Sequence, residues 1–169
     1  MHFCSYFHLF CYDVNDLAIA YLNRGGTYGT IGNHEEALKD YGECIRIRES
    51  LHEAGRLYDE NDLASAYMNR GVTYDDMGKY EEALKDYGKC IAIRESLHEA
   101  GRLYDIGDLA TVMLNKGILL ATGLHDTDGA LEIINHAIRV LEAEEKLSYN
   151  ANDTLEKLRE VRNILTGKE

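Results

Sequence analysis

Four residues at the start of the chain carry donor types that bind zinc: His2, Cys4, His8 and Cys11. Their spacings follow no established ligand pattern, so no metal site is expected from them. Asp126, Asp128 and Glu132 surround a glycine in a weak likeness to a calcium loop. The stretch is too short and lacks the ladder of alternating ligands, and it reads instead as the turn that starts a helix. His52 and His98 occupy the same place in a segment, ESLHEAGRLY, that occurs twice. A histidine that recurs on a helix flank reads as a packing or hydrogen-bonding residue rather than a base. The phosphate-binding and metalloprotease signatures GxGxxG, GxxxxGK[ST] and HExxH are absent. The expectation is therefore no reaction, no cofactor and no bound metal. The remaining chemistry is that of recognition. Asp75 and Asp76 place two carboxylates side by side, and Asn23, Asn69 and Asn115 each offer an amide that both donates and accepts.

What positions these side chains is a repeat. Residues 13–58 and 59–104 align without a gap and differ at 11 of 46 positions. A third copy starts in phase at Asp105 and then diverges. A fixed period in this range marks an array in which each unit buries its apolar face against its neighbours. The expected layout is one domain: a degenerate N-terminal segment 1–12, repeat 1 at 13–58, repeat 2 at 59–104, a divergent repeat 3 at 105–147, and a C-terminal capping helix at 148–169. Residues 1–12 are aromatic-rich and lack the features of a signal peptide. They fall where the last helix of a preceding repeat would lie.

The totals agree with a helical array. The chain has 169 residues, 45% apolar and 28% charged, and no proline, which favours uninterrupted helices. Thirty acidic against 18 basic residues give a formal net charge of -12. That excess disfavours nucleic acid or an anionic membrane as partner, since both need a basic footprint. No apolar run is long enough to span a membrane. Cys44 and Cys90 recur in register and read as small buried residues, which fits a reducing, cytoplasmic setting.

Each copy holds two helical patterns. In repeat 2 the first starts at an N-cap at Asn61 or Asp62 and stops at Gly78. The second begins near Tyr80 and runs toward Leu103, with Gly101 as an earlier alternative end. Repeat 1 gives helices near 15–31 and 34–57, and repeat 3 near 107–122 and 127–146. A last helix follows a turn at Asn150–Asp153, with Leu155, Leu158, Val161 and Leu165 in one stripe. The charged stretches EEALKD and RESLHEAGR read as solvated faces with local ion pairs.

The spacing inside each copy resembles the tetratricopeptide repeat. The slots that carry the resemblance are Tyr21, Gly25, Tyr28, Ala37, Tyr41 and Cys44, then Tyr67, Gly71, Tyr74, Ala83, Tyr87 and Cys90. Repeat 3 keeps Met113, Gly117, Ala130 and Ala137, puts Leu120 and Ile134 in aromatic slots, and needs one extra residue between its helices. The resemblance implies an all-α, right-handed superhelical solenoid of three helical hairpins plus the C-terminal helix. The family period is about 34 residues; here 12 more correspond to HEAGRLYDENDL and its cognates. Shared between two helices, they would lengthen each by roughly 9 Å.

In this family the first helix of each repeat lines a concave groove. The groove slots are Ile19, Leu22, Gly26, Gly29 and Thr30 in repeat 1, and Ser65, Met68, Val72, Asp75 and Asp76 in repeat 2. All five differ, where 11 scattered differences would change about one, so the scaffold is held while the groove varies. The resemblance places Asn23, Asn69 and Asn115 toward a bound peptide's main chain. Some members grip a terminal carboxylate with lysines at two of these slots. Here those slots hold Leu22, Met68 and Leu114, and Ile19, Ser65 and Thr111, so that clamp is missing. Leu22, Met68, Val72, Leu114 and Ile118 form an apolar strip beside Asp75 and Asp76. The expected function is a protein–protein interaction or scaffold module binding a peptide or partner protein with apolar anchors and a basic residue. Alternatives are a structural, self-associating array (a homo-oligomer, or a piece of a longer array) and a regulatory domain of a signalling enzyme. RNA binding by helical repeats is disfavoured by the charge.

Overall fold

The computed structural model describes residues 3–57 and 59–168, with side chains from Val14 onward. His2, Cys4, His8 and Cys11 therefore lie outside the described side chains. Seven helices follow one another, with no strand among the described residues: α1 (Phe3–Thr30), α2 (His34–Glu53), α3 (Glu60–Asp76), α4 (Tyr80–Glu99), α5 (Ile106–Thr122), α6 (Thr127–Glu142) and α7 (Tyr149–Thr166). None is long and apolar enough to cross a membrane.

Helix ends are set by local chemistry. The Asp59 side chain accepts from the Asn61 N–H, and Asp105 does the same for Gly107. The cap of α3 is thus two or three residues earlier than expected, and Asn61 and Asp62 lie inside the first turn. Gly101 adopts φ +64 and its N–H donates to the His98 carbonyl, while Arg102 N–H donates to Leu97. This left-handed closure ends α4 at Glu99 and keeps it from reaching Leu103; Gly55 closes α2 alike. Of the 12 added residues, 52–63, two extend α2 and four begin α3. The helices gain about 3 and 6 Å rather than 9 Å each. Ser148 caps α7 through the Ala151 N–H, so Asn150–Asp153 is helix, not turn. Phe3–Tyr12 continues into repeat 1 as one helix instead of forming the end of a separate one. The extra residue of repeat 3 is absorbed before α6, where His125 takes φ 56 and Asp126 caps Gly129.

Helices pair as hairpins, α1 with α2, α3 with α4 and α5 with α6, and the hairpins join through α2 on α3 and α4 on α5. α7 packs on α5 and α6, burying Ala151, Thr154, Leu155 and Leu158, with Val161 and Leu165 half-buried. The hairpins close where glycine faces a ring. A Cβ on Gly71 would sit 2.9 Å from Tyr87 ring carbons, and one on Gly25 would sit 2.8 Å from Tyr41. In repeat 3 Gly117 meets Ile134 in the same way. The architecture is an all-α helical solenoid of three hairpins and a closing helix.

Charges inside the scaffold were not expected from the sequence. Arg24 binds Asp40 and Arg70 binds Asp86 through two donors each, the shorter at 2.6 Å, with Asp86 only 2% exposed. These pairs tie the two helices of a hairpin. A second recurring arginine ties one repeat to the next. Arg48, fully buried, places Nη1 2.8 Å from Asp62 Oδ2, although without hydrogen-bond alignment. Arg94 donates to Asn61 Oδ1 (3.1 Å), Ser65 Oγ (3.3 Å) and the Asp108 carbonyl (2.8 Å). RESLHEAGR and EEALKD are solvated only in part; Lys39–Glu36 is an exposed local pair of the kind foreseen, and Arg46–Glu43 is another, outside both stretches.

Candidate functional site

The first helices of the hairpins, α1, α3 and α5, lie in sequence, α1 touching α3 and α3 touching α5. Between α1 and α3 a cavity of about 190 Å³ is lined by Gly26, Gly29 and Thr30 from one helix and Asn69, Val72, Thr73 and Asp76 from the other, with Tyr41 behind. Glycines at 26 and 29 put no side chain into that space; added Cβ atoms there would meet little but the Tyr41 hydroxyl, 3.8 Å away.

The cavity gathers slots at which the two copies differ: Gly26 and Val72 are one slot, Thr30 and Asp76 another. Asn69 projects there too. Outside its lining, Ile19 and Asn23 of α1 and Ile118 of α5 are exposed, and Leu22 is half-buried. Other expected groove residues are partly engaged by the scaffold. Ser65 receives Arg94 and bonds the Asn61 carbonyl, and Met68 Sδ lies 3.8 Å from Arg94. Thr111 donates to the Gly107 carbonyl and faces Thr154 of α7 at 3.3 Å. Leu114 is 7% exposed, so it serves the core more than an apolar strip. Asn115 is half-buried.

The two carboxylates differ. Burial pushes the Asp75 carboxyl up, Asp76 beside it pushes the same way, and a hydrogen bond from the Tyr87 hydroxyl partly offsets both. Tyr87 itself is raised by burial and by the two carboxylates. Asp75 is thus half scaffold, and Asp76, exposed on the cavity wall, is the freer charge.

A second cleft opens between α2 and α4, about 370 Å³, with Glu49, His52, Glu53, Glu60 and Lys89 on its walls. Here the Tyr67 hydroxyl donates to Glu49, and Lys89 Nζ donates to Tyr67 (2.8 Å) and Glu49 (3.3 Å), 4.5 Å from the Tyr67 ring centroid. Burial pushes the Glu49 carboxyl up, but the Tyr67 and Lys89 bonds outweigh it and hold it below its ordinary value. Sequence reasoning passed over this network and the buried arginines. A signal existed: Arg48 and Arg94, like Asp40 and Asp86, are identical between the copies, whereas exposed charges such as Glu43 and Arg46 become Lys89 and Ala92.

A tetratricopeptide repeat profile matches residues 16–96 and again 62–143, well over half of the chain. The chain belongs to the tetratricopeptide repeat family. Solved structures show the same fold. The N-terminal domain of stress-induced protein-1 (STI-1) from C. elegans superposes with a TM-score of 0.62 at 16% identity, covering 88% of this chain and 96% of that one. BtubC (BKLC) from P. vanneervenii also gives 0.62 at 16% identity, over 90% of this chain and 66% of that one. No curated protein sequence matches this chain. As a tetratricopeptide array it is a protein-interaction scaffold, and its close helix contacts are the family's Gly and aromatic slots.

Proposed function

We propose that the groove formed by α1, α3 and α5 binds an extended or helical segment of a partner protein that carries apolar anchors and a Lys or Arg. The observation that carries this reading is the cavity between α1 and α3, walled by slots that changed between two otherwise near-identical copies. Val72 and the exposed Ile19 and Ile118 offer apolar contact, and Met68 adapts to varied shapes. Asn69 supplies an amide for a peptide main chain. Asp76, with Asp75 behind it, favours a cation and sets orientation and on-rate more than affinity. No reaction is part of the proposal.

The test is selection of displayed random peptides on the intact protein, followed by binding kinetics of the strongest binder at two salt concentrations. Asp76→Lys is expected to slow association about tenfold at low salt, within the range that steering gives, and Val72→Ala to speed dissociation. Binding that ignores both changes and Asn69→Ala as well refutes the groove as the site.

A further inference from the structure

α4 packs on α5 and α5 on α6, but the backbones of α4 and α6 do not pack together, and an open cleft of about 550 Å³ lies between them over α5. Leu84, Leu120 and Ile133 give it apolar walls, and Lys116 and Arg139 give it positive charge; Gly129, Glu132 and His136 complete the lining.

Lys116 occupies the slot held by Arg24 and Arg70 in the earlier repeats. Arg70 is neutralised on three sides: the Asp86 carboxylate at 2.6 Å, the Tyr67 ring at 5.6 Å and the Tyr74 ring at 5.9 Å. Repeat 3 replaces every one of them. Met113 stands for Tyr67, Leu120 for Tyr74 and, because of the extra residue before α6, Ile133 for Asp86. Lys116 is half-buried and makes no ion pair among the described residues, and neither does Arg139. His136 lies 3.9 Å from Glu95. Glu132 is exposed and pairs with none of them.

We infer that this cleft is a second docking site, which takes an Asp or Glu side chain of a partner protein flanked by a leucine-sized apolar residue. A half-buried ammonium beside leucine and isoleucine has lost part of its hydration without gaining a carboxylate. An incoming carboxylate supplies the partner that Asp86 supplies one repeat earlier, and the adjoining walls accept its apolar neighbour. Arg139 at the same lining adds attraction and a fork for a second oxygen. The site goes beyond the groove reading: it lies between α4 and α6, shares only α5 with the groove, and selects the opposite charge.

The experiment is an amide-resolved NMR titration of the whole protein with the blocked peptide acetyl-Leu-Glu-Leu-amide, and with its Gln counterpart, at low salt. Expected are shifts at Lys116, Leu120, Ile133 and His136, about tenfold weaker binding of the Gln peptide, and their loss on raising salt. Lys116→Met should abolish the shifts, Lys116→Arg should keep them, and Asp76→Lys, in the groove, should leave them intact. Equal binding of the Glu and Gln peptides, or the absence of shifts at those four residues, overturns the inference without recourse to any variant. Loss of binding with Asp76→Lys would also overturn it, by returning the peptide to the groove.

Discussion

Replacing Gly71 and Gly88 by alanine, each in its own variant, separates helix propensity from packing. Both glycines lie inside helices, Gly71 in α3 and Gly88 in α4, the two arms of one hairpin. Either replacement removes the entropic penalty of glycine, a gain of about 1 kcal/mol. At Gly88 nothing lies within 4 Å of the added Cβ, so the gain stands alone. At Gly71 the Cβ would lie 2.9 Å from two Tyr87 ring carbons and 3.4 Å from Asp86 Cβ. Tyr87 is 1% exposed and Asp86 is held by Arg70, so neither can swing away. Overpacking of this kind costs about 1–3 kcal/mol. The net expectation is about +1 kcal/mol for Gly88→Ala and between about 0 and -2 kcal/mol for Gly71→Ala. For a chain of this size 1 kcal/mol moves Tm by about 2–4 °C. Circular dichroism melts should therefore place Gly88→Ala a few degrees above the parent and Gly71→Ala at or below it, and Gly71→Leu lower still. If the two alanine variants rise together, the hairpin does not close on Gly71 and the helix contact is misassigned.

Arg94→Ala strips the donors from Asn61 Oδ1 and the Asp108 carbonyl at the joint of repeats 2 and 3; a loss of about 3 kcal/mol and a broadened urea transition are expected. Arg94→Met, which restores bulk alone, should recover only part of it. Burial pushes the Cys90 thiol up to about 11 and the Cys44 thiol upward too. The thiolate is the reactive form, so at pH 8 only about one Cys90 in a thousand is ionised. Mass-mapped labelling of native protein should spare both and accelerate about tenfold per pH unit toward 11; fast labelling at pH 8 would show that face to be open. The excised segment 59–104 should stay unfolded, since one hairpin buries too little surface, and a cooperative helical melt of that peptide would contradict it.

Much of the fold was legible because the same slots recur. Tyr21, Gly25 and Tyr41 in one copy and Tyr67, Gly71 and Tyr87 in the next announce one contact twice, and each is where two helices meet. Helix ends were less legible. Asp59 and Asn61 are equally good caps by type, and only the path of the connector decides between them. The extra residues were misallocated because Gly101 offers both a break and a continuation, and left-handed closure wins when the next helix must turn back. For the groove, the internal comparison picked out Gly26, Thr30, Val72 and Asp76, which the structure brings together. It also picked out Ser65, and the family slots added Leu114. What engages these is a neighbour they meet only in three dimensions: Arg94 at the half-buried Ser65, and the packed core around the buried Leu114. Buried Arg48 hid for a related reason, since a charge looks solvated until its joint is built.

That joint has a consequence for how the protein can change size. Arg48 reaches forward to Asp62, and Arg94, 46 residues on, reaches forward to Asp108. A duplicated 46-residue segment inserted after residue 58 would therefore arrive with a forward-facing arginine and a rear-facing aspartate already matched to both neighbours. Each insertion would lengthen the stack by about one helix-to-helix spacing per layer, roughly 10 Å. Copies this similar make such gains and losses easy to generate, so the natural increment of variation here is a whole hairpin, and chains of differing repeat number should all fold.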